Sequence, residues 1–413
     1  MAKNKNKKEP RKKIKKKNLK KQKRGKKMPP KAEKKVLPVV QKTKIKIIGI
    51  GGGAGTIISE ISSRVKKADF VLTDTVAPRK NSSKIKKVFL GEGATYGFGT
   101  GMDPDLGESS ATLSKEKIEK ILSGQDICII VSCLGGGAGS GAMPIFAKEA
   151  RKMNILTYGI FTLPFNFEGE RKKGFAFSSI EKAKPYLNAY SLIPNEKIFE
   201  IIDKQTPIKE ALSIINRHLA ENLEGLIEMI HSPGVINIDF ADFRTILSGK
   251  GQLAFLNSYS IDRENIMEDL KKITSDPFSL YPASKAKGIL YNILGGEDLC
   301  LSEVSMISRA ISNSASRKAK IIFGINQSKK NKNKIKTILL AVGCGESEAP
   351  SKKKNKKIKK NSSKKEIEVK TKERKEDERR RNGLQIQEEN QKIEKGFLEE
   401  DSYETPAILR KIK

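Results

Sequence analysis

The sequence predicts an α/β fold with a largely parallel sheet covered on both faces. Two observations carry that expectation: short apolar runs suited to buried strands alternate with stretches of helical periodicity, and glycine-rich turns follow three strand positions. A Lys-rich arm and a charged tail flank this region.

The first strand is expected at Ile45–Ile50, in the run KIKIIGI, which stops in glycine. A helix follows from about Thr56 to Lys67, where Ile57, Ile58, Ile61 and Val65 lie near a 3.6-residue period. Further strands are expected at Phe70–Thr73, Lys87–Leu90, Ile127–Ser132 and Ile155–Phe161, with helices such as Lys115–Leu122 and Pro144–Met153 between them. Residues 207–230 form the longest helix, with Leu212, Ile215, Leu219, Leu223, Leu226 and Ile230 spaced by threes and fours, and Ser232-Pro233-Gly234 stops it. A second α/β unit of about a hundred residues follows. It holds strand-like VINIDF, LAFLNSYSI, GILYNIL, AKIIFGI and IKTILLAV, the last two arranged as a hairpin or as neighbouring strands across a Lys/Asn-rich loop.

The formal charge of +34 is unevenly placed. Residues 1–40 hold 19 Lys and Arg against 2 Asp and Glu, so half of the excess sits on an arm too polar to build a core. No run approaches the eighteen apolar residues that cross a bilayer, and the basic start lacks the apolar stretch of a signal peptide. Cys128, Cys133, Cys300 and Cys344 follow no ligand spacing, and two histidines make a His-based metal site improbable. A cytoplasmic chain is expected. Residues 346–400 read as a solvated linker, whereas Ser402–Lys413 regains apolar residues and reads as a peptide that docks in a partner's groove.

The glycine runs are Gly49–Gly55, Gly97–Gly101 and Gly135–Gly141, the last with five glycines in seven residues. Bare backbone N–H groups approach an anion closely, and a following helix N-terminus adds a favourable field for phosphate. Taken alone, the first run with Asp74 twenty residues on also mimics a dinucleotide fingerprint, or is a tight turn. The third run at a second strand end favours a triphosphate over a bridging pyrophosphate. No GK[ST] follows, which excludes the lysine-bearing P-loop.

GGGAGSG at 135–141 resembles the signature loop of the tubulin/FtsZ GTPase family, and the order of motifs resembles its bacterial cell-division branch. PFNFEG (164–169), IPNEK (193–197), SPGVINIDFADFRTIL (232–247) and AKGILYNILGGEDL (286–299) extend the resemblance over about 300 residues. It implies a tubulin-like two-domain fold. A Rossmann-like parallel-sheet nucleotide-binding domain (43–206) is joined by a long central helix (207–230) to a smaller α/β domain (231–345). It implies GTP/GDP and Mg²⁺ as ligands. Gly51, Gly52, Gly53, Gly55 and Thr56 would cradle phosphate, as would Gly135, Gly136, Gly137, Ala138, Gly139, Ser140 and Gly141. Gly99, Gly101 and Asp103 would line the same pocket. Glu168 would contact ribose, Arg171 or Lys172 phosphate, Phe175 the base and Asn216 the guanine edge, with Asn195 in a pocket segment.

Asn237, Asp239 and Asp242 form N-x-D-x-x-D. Read alone, the acids are as readily an N-cap and a first-turn carboxylate. By resemblance they are catalytic, polarising water in the active site of the next subunit, so hydrolysis would depend on head-to-tail assembly. Departures from the family pattern at Thr73-Asp74-Thr75, Asp103, Lys172 and Arg217 imply altered affinity or turnover, and a non-hydrolysing scaffold is the rival reading; a nucleotide-dependent redox enzyme is a weaker one. Glu404–Lys411 resembles a tail peptide that binds membrane-tethering and regulatory division proteins at the mid-cell site beneath the inner membrane. The basic arm would contact anionic lipid, nucleic acid or acidic filament surfaces.

Overall fold

A computed structural model describes residues 43–77, 85–203, 205–328 and 333–344. The basic arm, the linker and the tail peptide, with the partner roles expected of them, lie outside the described residues.

The chain runs β1 (Ile45–Ile50), α1 (Gly52–Arg64), β2 (Asp69–Asp74), β3 (Lys86–Phe89), α2 (Pro104–Leu113), α3 (Lys115–Leu122), β4 (Ile127–Cys133), α4 (Gly137–Lys152), β5 (Leu156–Leu163), α5 (Glu170–Ala183) and β6 (Ala189–Pro194). After α6 (Ile208–His231) come α7 (Phe240–Ile246), β7 (Gln252–Asp262), α8 (Ile266–Ile273), β8 (Ala286–Gly295), α9 (Leu301–Ser314), β9 (Ala315–Gln327) and β10 (Lys334–Val342). Ten strands form one sheet in the order β3-β2-β1-β4-β5-β6-β7-β10-β8-β9. The pairs from β3 to β6 are all parallel. Helices therefore cover both faces, and β4 and β5 are buried along almost their whole length, as parallel strands must be. The two-domain tubulin-like architecture follows from this: a parallel half before α6, a mixed half after it, and only two parallel pairs, Ala189–Gln252 and Tyr190–Leu253, between β6 and β7.

The apolar stripe of α6 works as expected. Ile215, Leu219, Leu223 and Leu226 are buried in a core that reaches from Ile47 and Ile58 to Ile338 and Leu340, so one helix packs on both halves. Gly225 permits the close approach, because a Cβ there would lie 2.9 Å from Ile338 Cγ1 and Ser258 Oγ. A second core lies under α3, α4 and α5, and a third under α8 and α9.

Three expectations are corrected. The first and third glycine runs are helix starts as much as loops. α1 begins at Gly52 and α4 at Gly137, not at Thr56 and Pro144. Helix propensity argues against glycine there, but packing overrides it. A Cβ on Gly53 would lie 2.9 Å from Cys133 Cβ, and one on Gly141 would strike Pro104 O. Pro144 is tolerated inside α4 because the carbonyl it leaves without an N–H, that of Ser140, accepts from Ser179 Oγ at 2.5 Å. VINIDF is not a strand: Ile236 makes an isolated bridge to Ile325 at the sheet edge, and Phe240 opens α7. β9 and β10 are not neighbours either. The α9 crossover lays β9 parallel to β8, and β10 then returns between β8 and β7, antiparallel to both.

Candidate functional site

β1 and β4 are adjacent and parallel, so their glycine turns emerge side by side at the carboxyl end of the sheet. The turns touch. Gly51 has φ +85°, and a Cβ on it would lie 3.0 Å from Gly139 N. Ser132 ties the turns together, its Oγ donating to Ile50 O (3.3 Å) or Gly139 O (3.2 Å). The segment at 97–101 closes over the same end: Val76 bridges Phe98, and Gly137 leaves room for Thr100 and Asp103.

Of the nine α-helices among the described residues, α1 and α4 alone have neither a side-chain N-cap nor an acidic residue in the first turn. Their N-caps are Gly51 and Gly136. Each helix start leaves N–H groups without an intrahelical partner at the positive end of the dipole. Two such ends converging on one spot make an anion site.

A pocket of about 380 Å³ opens beside them. Gly53, Thr56, Gly135 and Gly136 line its phosphate-like end, and Glu168, Lys172, Asn195 and Asn216 complete the expected residues found in its walls. Other expected residues are placed elsewhere. Gly52 lies on the β2 side of α1, where a Cβ would be 3.6 Å from Asp74 Oδ2, and Gly55 faces Leu72. Gly137, Ala138, Gly139, Ser140 and Gly141 build the first turns of α4, and Ser140 Oγ accepts from Gly135 N at 2.9 Å, shaping the turn. Asp103 caps α2, accepting from Asp105 N (2.9 Å) and Leu106 N (3.3 Å). Gly99 and Gly101 have φ of +85° and +54° and stand outside the lining. Arg171 lies over the Phe175 ring, 5.5 Å from its centroid, and neither lines the pocket.

Within the pocket each Glu168 oxygen has a protein donor: Oε1 accepts from Phe165 N at 2.9 Å and Oε2 from Lys172 Nζ at 2.8 Å. Lys172 stands against the third glycine run, its Cβ 3.3 Å from where a Cβ on Gly135 would be. Burial pushes the Cys133 thiol up, so it lines the pocket as a neutral group at neutral pH. Asn216 is 7 % exposed and its amide has no hydrogen-bond partner among the described residues, which leaves it facing the pocket it lines. Sequence reasoning missed Ile57, Cys133, Leu134, Thr162, Pro164, Phe165, Leu212 and Ile215. One signal was present. Leu212 belongs to the α6 stripe yet is 37 % exposed, because the stripe at that end faces the pocket.

The acidic group stands apart. Asn237 Oδ1 accepts from Gly234 N at 2.6 Å. Asp239 Oδ1 accepts from Asp242 N (2.8 Å), and Asp242 Oδ2 from Asp239 N (2.9 Å), a reciprocal cap at the start of α7. All three follow the C-terminal end of α6, whereas the pocket uses its N-terminal end. From Asn216 to His231 the helix advances about 22 Å, far beyond the reach of a carboxylate side chain.

Compared with known proteins, residues 44–203 match the GTPase domain of the tubulin/FtsZ family, and residues 264–345 match the FtsZ family C-terminal domain. Among solved structures, the chain is similar to an empty FtsZ dimer from M. jannaschii, at 31% identity over 73% of this chain and 89% of that one, with a TM-score of 0.66. It also shares its fold with CetZ2 from Haloferax volcanii in a GTPγS-bound protofilament (21% identity, 74% and 95% covered, TM-score 0.62). CetZ from Methanosaeta thermophila is similar at 19% identity (87% and 99% covered, TM-score 0.62). The likeness is thus not confined to the bacterial branch. By its GTPase domain and its two-domain fold, the chain belongs to the tubulin/FtsZ family of GTPases.

Proposed function

We propose that this GTPase assembles head to tail into filaments, each active site being completed by Asn237, Asp239 and Asp242 of the next subunit. The observation that carries this reading is the distance along α6 between the pocket and the acids. One protomer holds both halves of a hydrolytic site but cannot bring them together. A neighbour stacked along α6 can.

In that arrangement the N–H groups at the starts of α1 and α4, with Lys172, hold the phosphates. Asp239 and Asp242 each keep one carboxylate oxygen outside the reciprocal cap, and these oxygens orient and polarise a water molecule. The water oxygen attacks the γ-phosphorus in line and gives up a proton to solvent, the bond to the β,γ-bridging oxygen breaks, and GDP and inorganic phosphate leave. Mg²⁺, which the GTPase domain implies, would accompany the phosphates at this end of the pocket. When bound, it neutralises charge on the transferring group.

The motif order supports a cytoskeletal role of FtsZ type at a cytoplasmic division ring. In that role Glu404–Lys411 takes up membrane-tethering and regulatory division proteins, and the arm at residues 1–35 contacts anionic lipid or nucleic acid. No helix among the described residues is long and apolar enough to cross a membrane, so attachment would run through such contacts. Right-angle light scattering with simultaneous phosphate release tests the core reading. GTP should drive assembly and hydrolysis together. Assembly with no phosphate release would instead favour the scaffold reading, and neither would sink both. Loss of adaptor pull-down on deleting residues 403–413, with assembly retained, tests the tail.

A further inference from the structure

The base end of the pocket is built unlike its phosphate end. Ile57, Leu212 and Ile215 offer apolar side chains against which a planar ring can pack, and Asn216 is the one polar residue that α6 adds to the lining. The residue is 7 % exposed, and its amide has no hydrogen-bond partner among the described residues. Among the described residues the one carboxylate in the lining is Glu168, which Phe165 N and Lys172 Nζ hold in place through one oxygen each. Arg217, next along the helix, is exposed, lies outside the lining and carries donors only.

This donor set bears on which purines are told apart. Guanine presents O6 as an acceptor and N1–H and N2–H₂ as donors. A carboxylate takes both donors at once, and a site built that way rejects a purine lacking them by about 10⁴-fold. A carboxamide has one acceptor and one donor group, so it satisfies O6 and N1–H but leaves N2–H₂ without a dedicated partner. Hypoxanthine, which differs from guanine only by lacking that amino group, then loses little. Rotated by half a turn, the same amide accepts from N6–H and donates to N1 of adenine.

We infer that the nucleotide pocket discriminates weakly among purines, so that inosine and adenosine triphosphates occupy it alongside GTP, with Asn216 as the reading group. The inference rests on the reading of this pocket as the nucleotide site. Competition against a fluorescent GDP analogue on the full-length protein, with GTP, ITP and ATP in Mg²⁺ buffer, tests both and separates them. We expect ITP to compete within about tenfold of GTP and ATP within about a hundredfold. Displacement by GTP with ITP or ATP weaker than those limits overturns the inference and leaves the nucleotide site intact, whereas failure of GTP itself to displace the probe removes both. Asn216→Asp supplies the second acceptor, and a GTP-over-ITP preference that widens at least tenfold assigns the reading to this residue. An unchanged preference in a variant that still binds GTP overturns that assignment.

Discussion

Asp239 and Asp242 cap each other: each carboxylate accepts from the other's backbone N–H, at 2.8 and 2.9 Å. The helical-cap and catalytic readings of these acids are therefore compatible. One oxygen of each fixes the start of α7, and the second stays available to a neighbour.

Substitutions at Asp242 separate the two uses. Asn retains an acceptor for the cap but removes the charge, so Asp242→Asn should keep thermal stability and nucleotide affinity while lowering turnover by about 10²-fold or more. Asp242→Ala should lose turnover similarly and also about 1 kcal/mol of stability. Steady-state phosphate release beside a thermal melt checks both, and wild-type turnover in the Asn variant would reject the charge as catalytic.

Gly51 sits between the two glycine turns at φ +85°, where a Cβ would crowd Gly139 N at 3.0 Å. Gly51→Ala should destabilise the protein by about 1–3 kcal/mol and weaken nucleotide binding, because both helix starts must shift. Chemical denaturation and binding titration would register the two effects.

Ser179 Oγ donates to the Ser140 carbonyl that Pro144 leaves without its helical partner. Removing the hydroxyl in Ser179→Ala strands a buried acceptor, with an expected loss of about 1–3 kcal/mol. The same substitution with Pro144→Ala should be milder, since an N–H is restored. A double-mutant cycle measures that coupling.

Asp269 accepts from Asp262 N, Tyr259 Oη and Lys272 Nζ, and these bonds, the first foremost, hold its carboxyl below the ordinary value of 3.8. Its folded pKa lies under the unfolded one. The carboxylate therefore stabilises the fold above about pH 4, and that contribution fades as pH falls through the lower folded value. Urea midpoints should show Asp269→Asn less stable than wild type near pH 6, with the gap narrowing toward pH 3. A constant gap would contradict the assignment.

Much of this was readable from the residues. β1 was legible because IKIIGI is apolar but for Lys46 and runs into Gly51, and α6 because its leucines and isoleucines keep step over about five turns. Long-range placement was not. Nothing local to AKIIFGI or IKTILLAV shows that β8 lies between them, since the order depends on where the α9 crossover lands. The glycine runs announced an anion site, but not that Gly141 and Gly137 serve the packing of α4 on α2. At the site, the family resemblance, not the residue types, pointed to Asn216 and Lys172. The ion pair engaging Glu168 and the apolar wall from Leu212 and Ile215 emerge only in three dimensions.

The most direct test of a site shared between subunits is GTP turnover per subunit measured across protein concentration, with assembly followed in the same samples. Shared chemistry predicts almost no hydrolysis below a threshold concentration and a steep rise where filaments appear, while nucleotide binding persists below it. Constant turnover per subunit from fully monomeric to fully assembled protein would place the whole active site within one chain and contradict the account.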